Sequence, residues 1–383
     1  MEPNCVLFIP VSSPSGIGEY MRSMIIAKAL KLRWPDINIH FILNEQVAYF
    51  NDCPYTVHAC QGSPTKDVVG VNGIIAKVSP DLVVFDASGR AKQFKQAKAV
   101  GAKVAFISQH NKKRSRGLKL NRLFNTDIHW VVQPDFCIKS ISYWQRAKLA
   151  FFNKKAPQNI GPVFEVSSSS YQTQLIEQFD LIKNDYFVFN AGSGGHLVAG
   201  ELAADIYYQA AQIFYRKTKI KCLVIFGGNY PKELPDDSDI TCVKSISNKD
   251  FIALNSTAQG CVISAGDTLL QCIALHKPCV AAPVSPDQPA RLKLCQHKQL
   301  VLAAEATPYS LVKQALRLIE KQQAKTLISN MAQLAPVKAL ALIVGDIAAL
   351  FFLGNESDVQ KNSTQKSSIQ QKTAKKNNVQ DNN

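Results

Sequence analysis

Short apolar runs alternate with stretches of helical period along most of the chain. Val6-Leu7-Phe8-Ile9 is closed by Pro10. Behind it, after a Ser/Gly-rich loop at 12–18, Met21, Ile25, Ala29 and Leu32 recur at the spacing of one helix face. Further apolar runs stand at 37–43, 81–86, 103–107 and 129–132. The pattern pauses around Gly161-Pro162-Val163, and the serine run 167–170 reads as linker. It then restarts: a strand at 186–190, a glycine loop at 191–195, a helix over 200–215, and strands at 222–226, 241–243, 260–263 and 279–282. Strands of this continuous apolar kind, separated by helices, predict an α/β chain with parallel sheets covered on both faces. The chain is two strand–glycine-loop–helix modules in series. The expected divisions are a first domain over 1–163, a linker over 164–184, a second domain over 185–336, a terminal helix over 337–354 and a disordered tail over 355–383. The tail is rich in Lys, Asn, Gln and Ser and lacks apolar periodicity.

Composition narrows the class. The 383 residues are 46% hydrophobic, enough for two cores. The ten cysteines are scattered without a C-x-x-C pair and mostly sit in apolar runs, which reads as buried thiols in a reducing compartment. The N-terminus does not resemble a signal peptide. The apolar stretch 338–353 carries Gly345 and Asp346 and reads as a packed helix, not a membrane span. The expected location is the cytoplasm. Net charge is +15, and residues 90–155 hold sixteen Lys or Arg against two acids, Asp127 and Asp135. Such a region attracts anionic partners. Its two densest stretches, 111–122 and 143–155, interleave cations with Trp, Leu and Phe. That pattern suits either an anionic membrane surface or a solvated basic face with its aromatics in the core. No nucleic-acid recognition module is present.

Three segments can carry chemistry. The first loop contains Gly16, Gly18, Glu19 and Arg22, without the G-x-G-x-x-G spacing of a dinucleotide site. The second, Asn190-Ala191-Gly192-Ser193-Gly194-Gly195-His196, lacks the Lys-Ser/Thr ending of a P-loop. The third runs Ser264-Ala265-Gly266-Asp267-Thr268-Leu269-Leu270-Gln271, then Lys277-Pro278, Pro283 and Asp287-Gln288. Backbone amides from Gly266 to Thr268 suit a diphosphate at a helix N-terminus, Gln271 suits ribose hydroxyls, and Gln288 suits a sugar. Asp86 and His110 each follow a strand, where open α/β sheets bind ligands. Asp86 is either a working carboxylate or the cap of its own turn, and His110 either a base or a hydrogen-bonding loop residue. Histidine spacing points to no metal site, and no cofactor is implied. Asp237-Ser238-Asp239 has D-x-D form but lies beside Pro235 and reads as a solvated loop.

The third segment resembles the donor-binding region of GT-B glycosyltransferases, with the pattern S-x-G-x-T-x-x-E, A-L-x-K-P, P and D/N-Q. In particular it resembles the transferase that adds N-acetylglucosamine to the peptidoglycan lipid intermediate, and the nucleotide-sugar hydrolase of pseudaminic acid synthesis. Gly16-Ile17-Gly18-Glu19-Tyr20-Met21-Arg22 is similar to the hydrolase group's G-x-G-H-x-x-R, Asp81 to Asp86 to its P-D-x-x-V-x-D strand end, and Ile160 to Phe164 to its L-G-P-x-Y. The resemblance spans about residues 5 to 350. It implies two Rossmann-like domains facing across a cleft, a UDP-sugar held mainly by the second, and an acceptor or water approaching from the first. Two positions depart from it. Glu19 replaces the histidine expected as general base, and Gln271 the glutamate expected on ribose. Glu19 is either a base or the first-turn acid that suits a helix N-terminus. The expected activity is transfer of a sugar from a nucleotide-diphosphate sugar to an acceptor hydroxyl, in cell-envelope or surface polysaccharide synthesis and with a lipid-linked or membrane acceptor. The alternatives are a nucleotide-sugar hydrolase and a non-catalytic nucleotide-sugar-binding paralogue.

Overall fold

A computed structural model of the chain describes residues 2–11, 17–47, 49–334 and 338–352. The stretch from Asn355 onward, expected to be disordered, and Gly16 lie outside the described residues. The apolar runs become strands in order. The first group is β1 (Cys5–Pro10), β2 (Asn38–Asn44), β3 (Thr56–Cys60), β4 (Leu82–Asp86), β5 (Lys103–Ser108), β6 (Ile128–Val131) and the two-residue β7 (Gln158–Asn159). They form one sheet in the order β3-β2-β1-β4-β5-β6-β7, and the pairs β3–β2, β2–β1, β1–β4 and β4–β5 are parallel.

The second group is β8 (Tyr186–Asn190), β9 (Leu197–Val198), β10 (Glu201–Leu202), β11 (Lys221–Ile225), β12 (Ile240–Val243), β13 (Gly260–Ser264), β14 (Cys279–Ala282) and β15 (Leu302–Ala303). β9 and β10 make a small antiparallel hairpin. The others form a parallel sheet in the order β12-β11-β8-β13-β14-β15. By contacts the chain divides into two compact units. Among the described residues, one comprises those up to Ser108, Ser115–Trp130 and 340–352; the other comprises Gln109–Arg114 and 131–339.

Central strands are apolar throughout because both of their faces are covered. All five residues of β4, β8 and β13 are buried. In the first unit Phe8 stacks on Phe41 and Phe85 on Phe94, with ring centroids 5.1 and 4.2 Å apart. In the second, Phe187 packs on Phe214 at 4.6 Å, and the buried Tyr207 hydroxyl donates to the Ile263 carbonyl at 2.9 Å. The serine run read as linker starts a helix, Ser169–Gln178, whose N-cap Ser168 accepts from the Tyr171 amide. Serine there is a capping signal. The helix expected from Gly200 begins at Ala203, because the β9–β10 hairpin occupies the preceding residues.

Residues 339–352 form the expected terminal helix. Ala339, Ile343 and Ile347 are buried on it, and Asp346 accepts a 2.8 Å hydrogen bond from the Trp130 indole. No helix among the described residues is long and apolar enough to cross a membrane.

Two polar contacts inside the first unit set its response to conditions. Arg22, on the helix Gly18–Arg33, grips Asp86 at the end of β4 with Nε at 2.9 Å and Nη2 at 2.6 Å, and both residues are buried. On neighbouring β2 and β3, the His40 and His58 rings stack, with Nδ1 of one 3.0 Å from Nε2 of the other. That contact needs a lone pair on one ring. Burial pushes the His40 pKa below the usual histidine value; burial, then the charges of His40 and Lys77, do the same for His58.

Removing one partner of the buried ion pair leaves the other charge uncompensated. Arg22→Met is expected to cost about 3–5 kcal/mol in urea unfolding, with most of it recovered in Arg22→Met/Asp86→Leu. A single variant as stable as the parent would show that the pair is not coupled to folding. For the histidines, a depressed folded pKa means that the unfolded chain binds more protons. The pair's contribution is therefore present above the ordinary histidine pKa of about 6.5 and is lost as pH falls through it. The melting temperature should drop more steeply from neutral to mildly acid pH in the parent than in His40→Gln/His58→Gln; equal slopes would refute the assignment.

Candidate functional site

In a parallel sheet whose strand order reverses, neighbouring strands at the reversal send their following loops to opposite sides and leave a crevice at their carboxyl ends. In the second unit the reversal lies between β8 and β13. From β8 the chain moves outward through β11 and β12, then returns on the other side through β13, β14 and β15. The loops that open from these two strand ends are the two glycine segments singled out in the sequence.

The first loop is clamped from several directions. The Asn190 side chain donates to the Ile225 carbonyl at 2.7 Å and the Gly192 carbonyl at 3.2 Å, and accepts from the Gly192 amide at 3.1 Å. The Asn229 amide donates to the Ser193 carbonyl at 2.8 Å. Gly194 (φ +94°) and Gly227 (φ +98°) let the two turns touch. A Cβ on Gly194 would lie 2.6 Å from the Phe226 oxygen, and one on Gly227 2.5 Å from the Gly192 oxygen. Only glycine fits either place. Ser193 and Gly195 remain exposed at the rim.

The second loop starts the helix Asp267–Ala274. Its N-cap Gly266 supplies no side chain, so no protein hydroxyl or carboxylate caps the first turn. Such a terminus offers its amides and the positive end of the helix dipole to an anion. The Ala265 carbonyl is held by Arg291 Nη1 at 3.1 Å, and Arg291 Nη2 also lies 3.3 Å from Asp267 Oδ1. Ser264 and Gln288 are buried beside it. A Cβ on Gly192 would stand 3.4 Å from the Ser264 hydroxyl; one on Gly266 would stand 3.6 Å from that hydroxyl and 3.4 Å from Gln288 Nε2. Gln288 Oε1 accepts from the Val284 amide at 2.8 Å, which fixes the orientation of its amide group.

The structure thus gathers Gly192, Ser264, Gly266 and Gln288 at one switch point. Thr268 and Gln271 follow on the same helix, both half-buried. Asp287 is exposed and accepts from the Ser285 hydroxyl at 2.6 Å. Asn190, which the sequence placed in the second glycine segment without a role, and Gly227 and Arg291, which no motif flagged, complete the cluster. Asn190 as the last residue of β8 and the Gly227-Gly228 pair after β11 were the available signals.

Of the other candidates, Glu19 lies in the first turn of the helix Gly18–Arg33, which begins at Gly18. Its charge, after burial, helps push the Tyr49 phenol up to about 12. The carboxylate therefore stands close to Tyr49, which itself stacks on Tyr20 at 4.3 Å. Asp86 is fully buried; Arg22 takes both its oxygens and the Ser23 hydroxyl adds a 3.3 Å bond. The structure makes Asp86 the anchor of a helix. His110 is exposed, and its Nδ1 accepts from the Lys113 amide at 3.4 Å at the start of the helix Asn111–Gly117.

Asp237 is not simply solvated. It accepts from Tyr208 and Gln212 at 2.6 and 2.9 Å and from the Asp239 and Ile240 amides, tying its loop to the helix Ala203–Thr218. Among the described residues no group of three or more His, Cys, Asp or Glu is placed to hold a metal.

No family model and no curated protein matches the sequence. Solved structures do. The UGT2 structure from Phytolacca americana, complexed with UDP-2-fluoroglucose and pterostilbene, superposes with a TM-score of 0.60 at 10% identity over 91% of this chain and 99% of that one. The glycosyltransferase SnogD from Streptomyces nogalater gives 0.57 at 16% identity over 90% and 99%. The UDP-N-acetylglucosamine 2-epimerase of Neisseria meningitidis, bound to UDP-N-acetylglucosamine, gives 0.55 at 11% identity over 90% and 99%. At these identities the likeness is one of architecture: the chain has the GT-B fold, two parallel sheets covered by helices.

Proposed function

We propose that the chain is a glycosyltransferase that moves a sugar from a UDP-linked donor to an acceptor hydroxyl. The observation that carries the reading is the second unit's switch point, where two glycine-lined loops and a helix start without a side-chain cap converge on buried Ser264 and Gln288. Fixed amide dipoles there suit a diphosphate, whose negative charge grows as the bond to the sugar breaks. In this reading the diphosphate is held by amides of Gly192, Ser193, Gly194 and Gly195 on one side and of Gly266, Asp267 and Thr268 on the other. Gln271 takes the ribose hydroxyls, and Gln288 with Asp287 addresses the sugar. UDP-2-fluoroglucose and UDP-N-acetylglucosamine, bound in two of the solved structures it superposes on, support the choice of a UDP-sugar.

Glu19 is the proposed acceptor of the hydroxyl proton, in the place where the resembled enzymes carry histidine. Asp86 is engaged on both oxygens and His110 serves a helix start, so neither is assigned that step. Arg22, through Asp86, holds the helix that carries Glu19, which starts at Gly18. The basic stretches within 112–155 support a lipid-linked or membrane-attached acceptor, as in cell-envelope polysaccharide synthesis.

Incubation with UDP-, GDP-, CMP- and TDP-sugars, with and without a lipid-extract acceptor, tests the reading. Nucleotide release that depends on the lipid extract is the expected outcome. Release without acceptor would replace the transferase by a hydrolase, and failure to bind any of the four would end the donor-site assignment. By calorimetry Gln271→Ala should weaken UDP binding roughly tenfold, the worth of one or two hydrogen bonds. Gly194→Ala should remove UDP binding by forcing the two turns apart. Glu19→Gln should keep UDP affinity while slowing turnover at least about a hundredfold; an unchanged rate would strip Glu19 of its role.

A further inference from the structure

The helix Tyr143–Phe151 turns its largest apolar side chains away from the protein. It is firmly built: Ser142 accepts from the Gln145 amide at 3.3 Å while the Gln145 side chain accepts from the Ser142 amide at 3.1 Å. Leu149 is its one buried residue. At the helical advance of about 100° per residue, Tyr143, Trp144, Ala147 and Phe151 share an arc of roughly 100° opposite Leu149. Tyr143, Trp144 and Phe151 are 73, 79 and 82% exposed. The Tyr143 and Trp144 rings meet edge to face at 5.8 Å, so the stripe is continuous at that end. Exposed Arg146 borders it on one side and half-buried Lys148 on the other, and exposed Lys155 follows just past the helix. A folded chain has no internal use for three exposed aromatics in line, and contiguous exposed apolar surface marks an interaction site.

We infer that this helix docks the protein on an anionic lipid surface, the aromatic stripe entering the interface and the flanking cations meeting head groups. Trp and Tyr favour that boundary, since each joins an apolar ring to a polar tip. The order of groups around the helix, apolar at the centre and basic at both edges, is the order an interfacial helix needs. The excess of sixteen basic over two acidic residues in 90–155 supplies the longer-range attraction. A second copy of the chain is a poorer partner, because a two-fold contact through the stripe would set each Arg146 and Lys148 near its own mate. A nucleic-acid strand is also poorer, because no cation lies within the stripe to track a phosphate backbone. The inference rests on the membrane-attached acceptor proposed above, and its test uses no nucleotide, so its failure leaves the donor-site assignment standing.

The full chain is sedimented with phosphatidylcholine vesicles with and without phosphatidylglycerol, at low and high salt. Binding is expected only with phosphatidylglycerol and should weaken with salt. Tyr143→Ser/Trp144→Ser/Phe151→Ser should lower the partition coefficient at least about tenfold. Arg146→Gln and Lys155→Gln should each lower it by roughly fivefold. Thermal unfolding of these surface variants should match the parent, which separates lost docking from lost folding. Brominated lipid should quench tryptophan emission in the parent and not in Trp144→Phe. Parent protein that ignores phosphatidylglycerol vesicles, or a triple-serine variant that binds them as the parent does, overturns the inference. So does a concentration-dependent dimer, or oligonucleotide binding, that the triple variant abolishes while vesicle binding is absent.

Discussion

The proposed donor site rests on one constraint of chain routing. Parallel strands need crossovers, and a chain that builds outward from one strand in both directions must reverse somewhere. In the second sheet that reversal separates β8 from β13. Their carboxyl ends then emerge side by side with loops that diverge, and the gap needs no carving by side chains. What the sequence must add is backbone that stays out of the gap and donors that face it. Gly192, Gly194, Gly266 and Gly227 meet the first need, and the helix start at Asp267 meets the second. The first sheet repeats the routing with its reversal between β1 and β4, where Arg22 and Asp86 tie helix to strand.

The two reversals are held by different chemistry. In the first unit a buried ion pair fixes the helix that carries Glu19. Such a pair is worth little against a well-packed apolar substitute, but half of it alone is very costly. It sets direction more than stability: Arg22 can satisfy Asp86 with two nitrogens in one orientation of the helix. In the second unit the positioning is done by amide groups. Asn190 and Gln288 each spend at least one side-chain bond on backbone in their own neighbourhood. A neutral frame leaves the local field to the helix dipole, which suits the proposed diphosphate.

Much of the fold was legible because strands buried on both faces are written as unbroken apolar runs. β4, β8 and β13 could be read directly. Thr56–Cys60 escaped, since an edge strand of Thr, Val, His, Ala and Cys has neither a run nor a clean alternation. The β9–β10 hairpin escaped because two-residue strands have no period. The serine run was misread because capping serines and linker serines are the same residue, and only the helix behind them tells which. In the candidate site, Ser264 to Gln288 was legible because one strand, its turn and the next helices carry it in sequence. The role of Asn190, and Gly227 and Arg291 altogether, were not, because each acts on a loop distant in the chain: Asn190 on Ile225, Gly227 on Gly192, Arg291 on Ala265. The aromatic stripe at Tyr143, Trp144 and Phe151 was visible as composition; its outward direction follows only from where Leu149 packs.

Gln271 and Asp267 show how charge is balanced around the proposed diphosphate. A carboxylate in the first turn suits an empty helix start and opposes an anion arriving there. Asp267 is that carboxylate, and Arg291 stands 3.3 Å from it. The arginine also draws the Ala265 carbonyl, turning that dipole toward itself. One cation thus engages both the Asp267 carboxylate and the Ala265 carbonyl beside the helix start. At position 271 a neutral amide adds no further negative charge one turn deeper. The glutamate of the resembled enzymes would bind ribose with a stronger, charge-assisted bond at the price of another carboxylate behind the phosphates. The glutamine gives up that strength, so more of the hold on a nucleotide must come from the two loops, which is where the structure places its most constrained backbone.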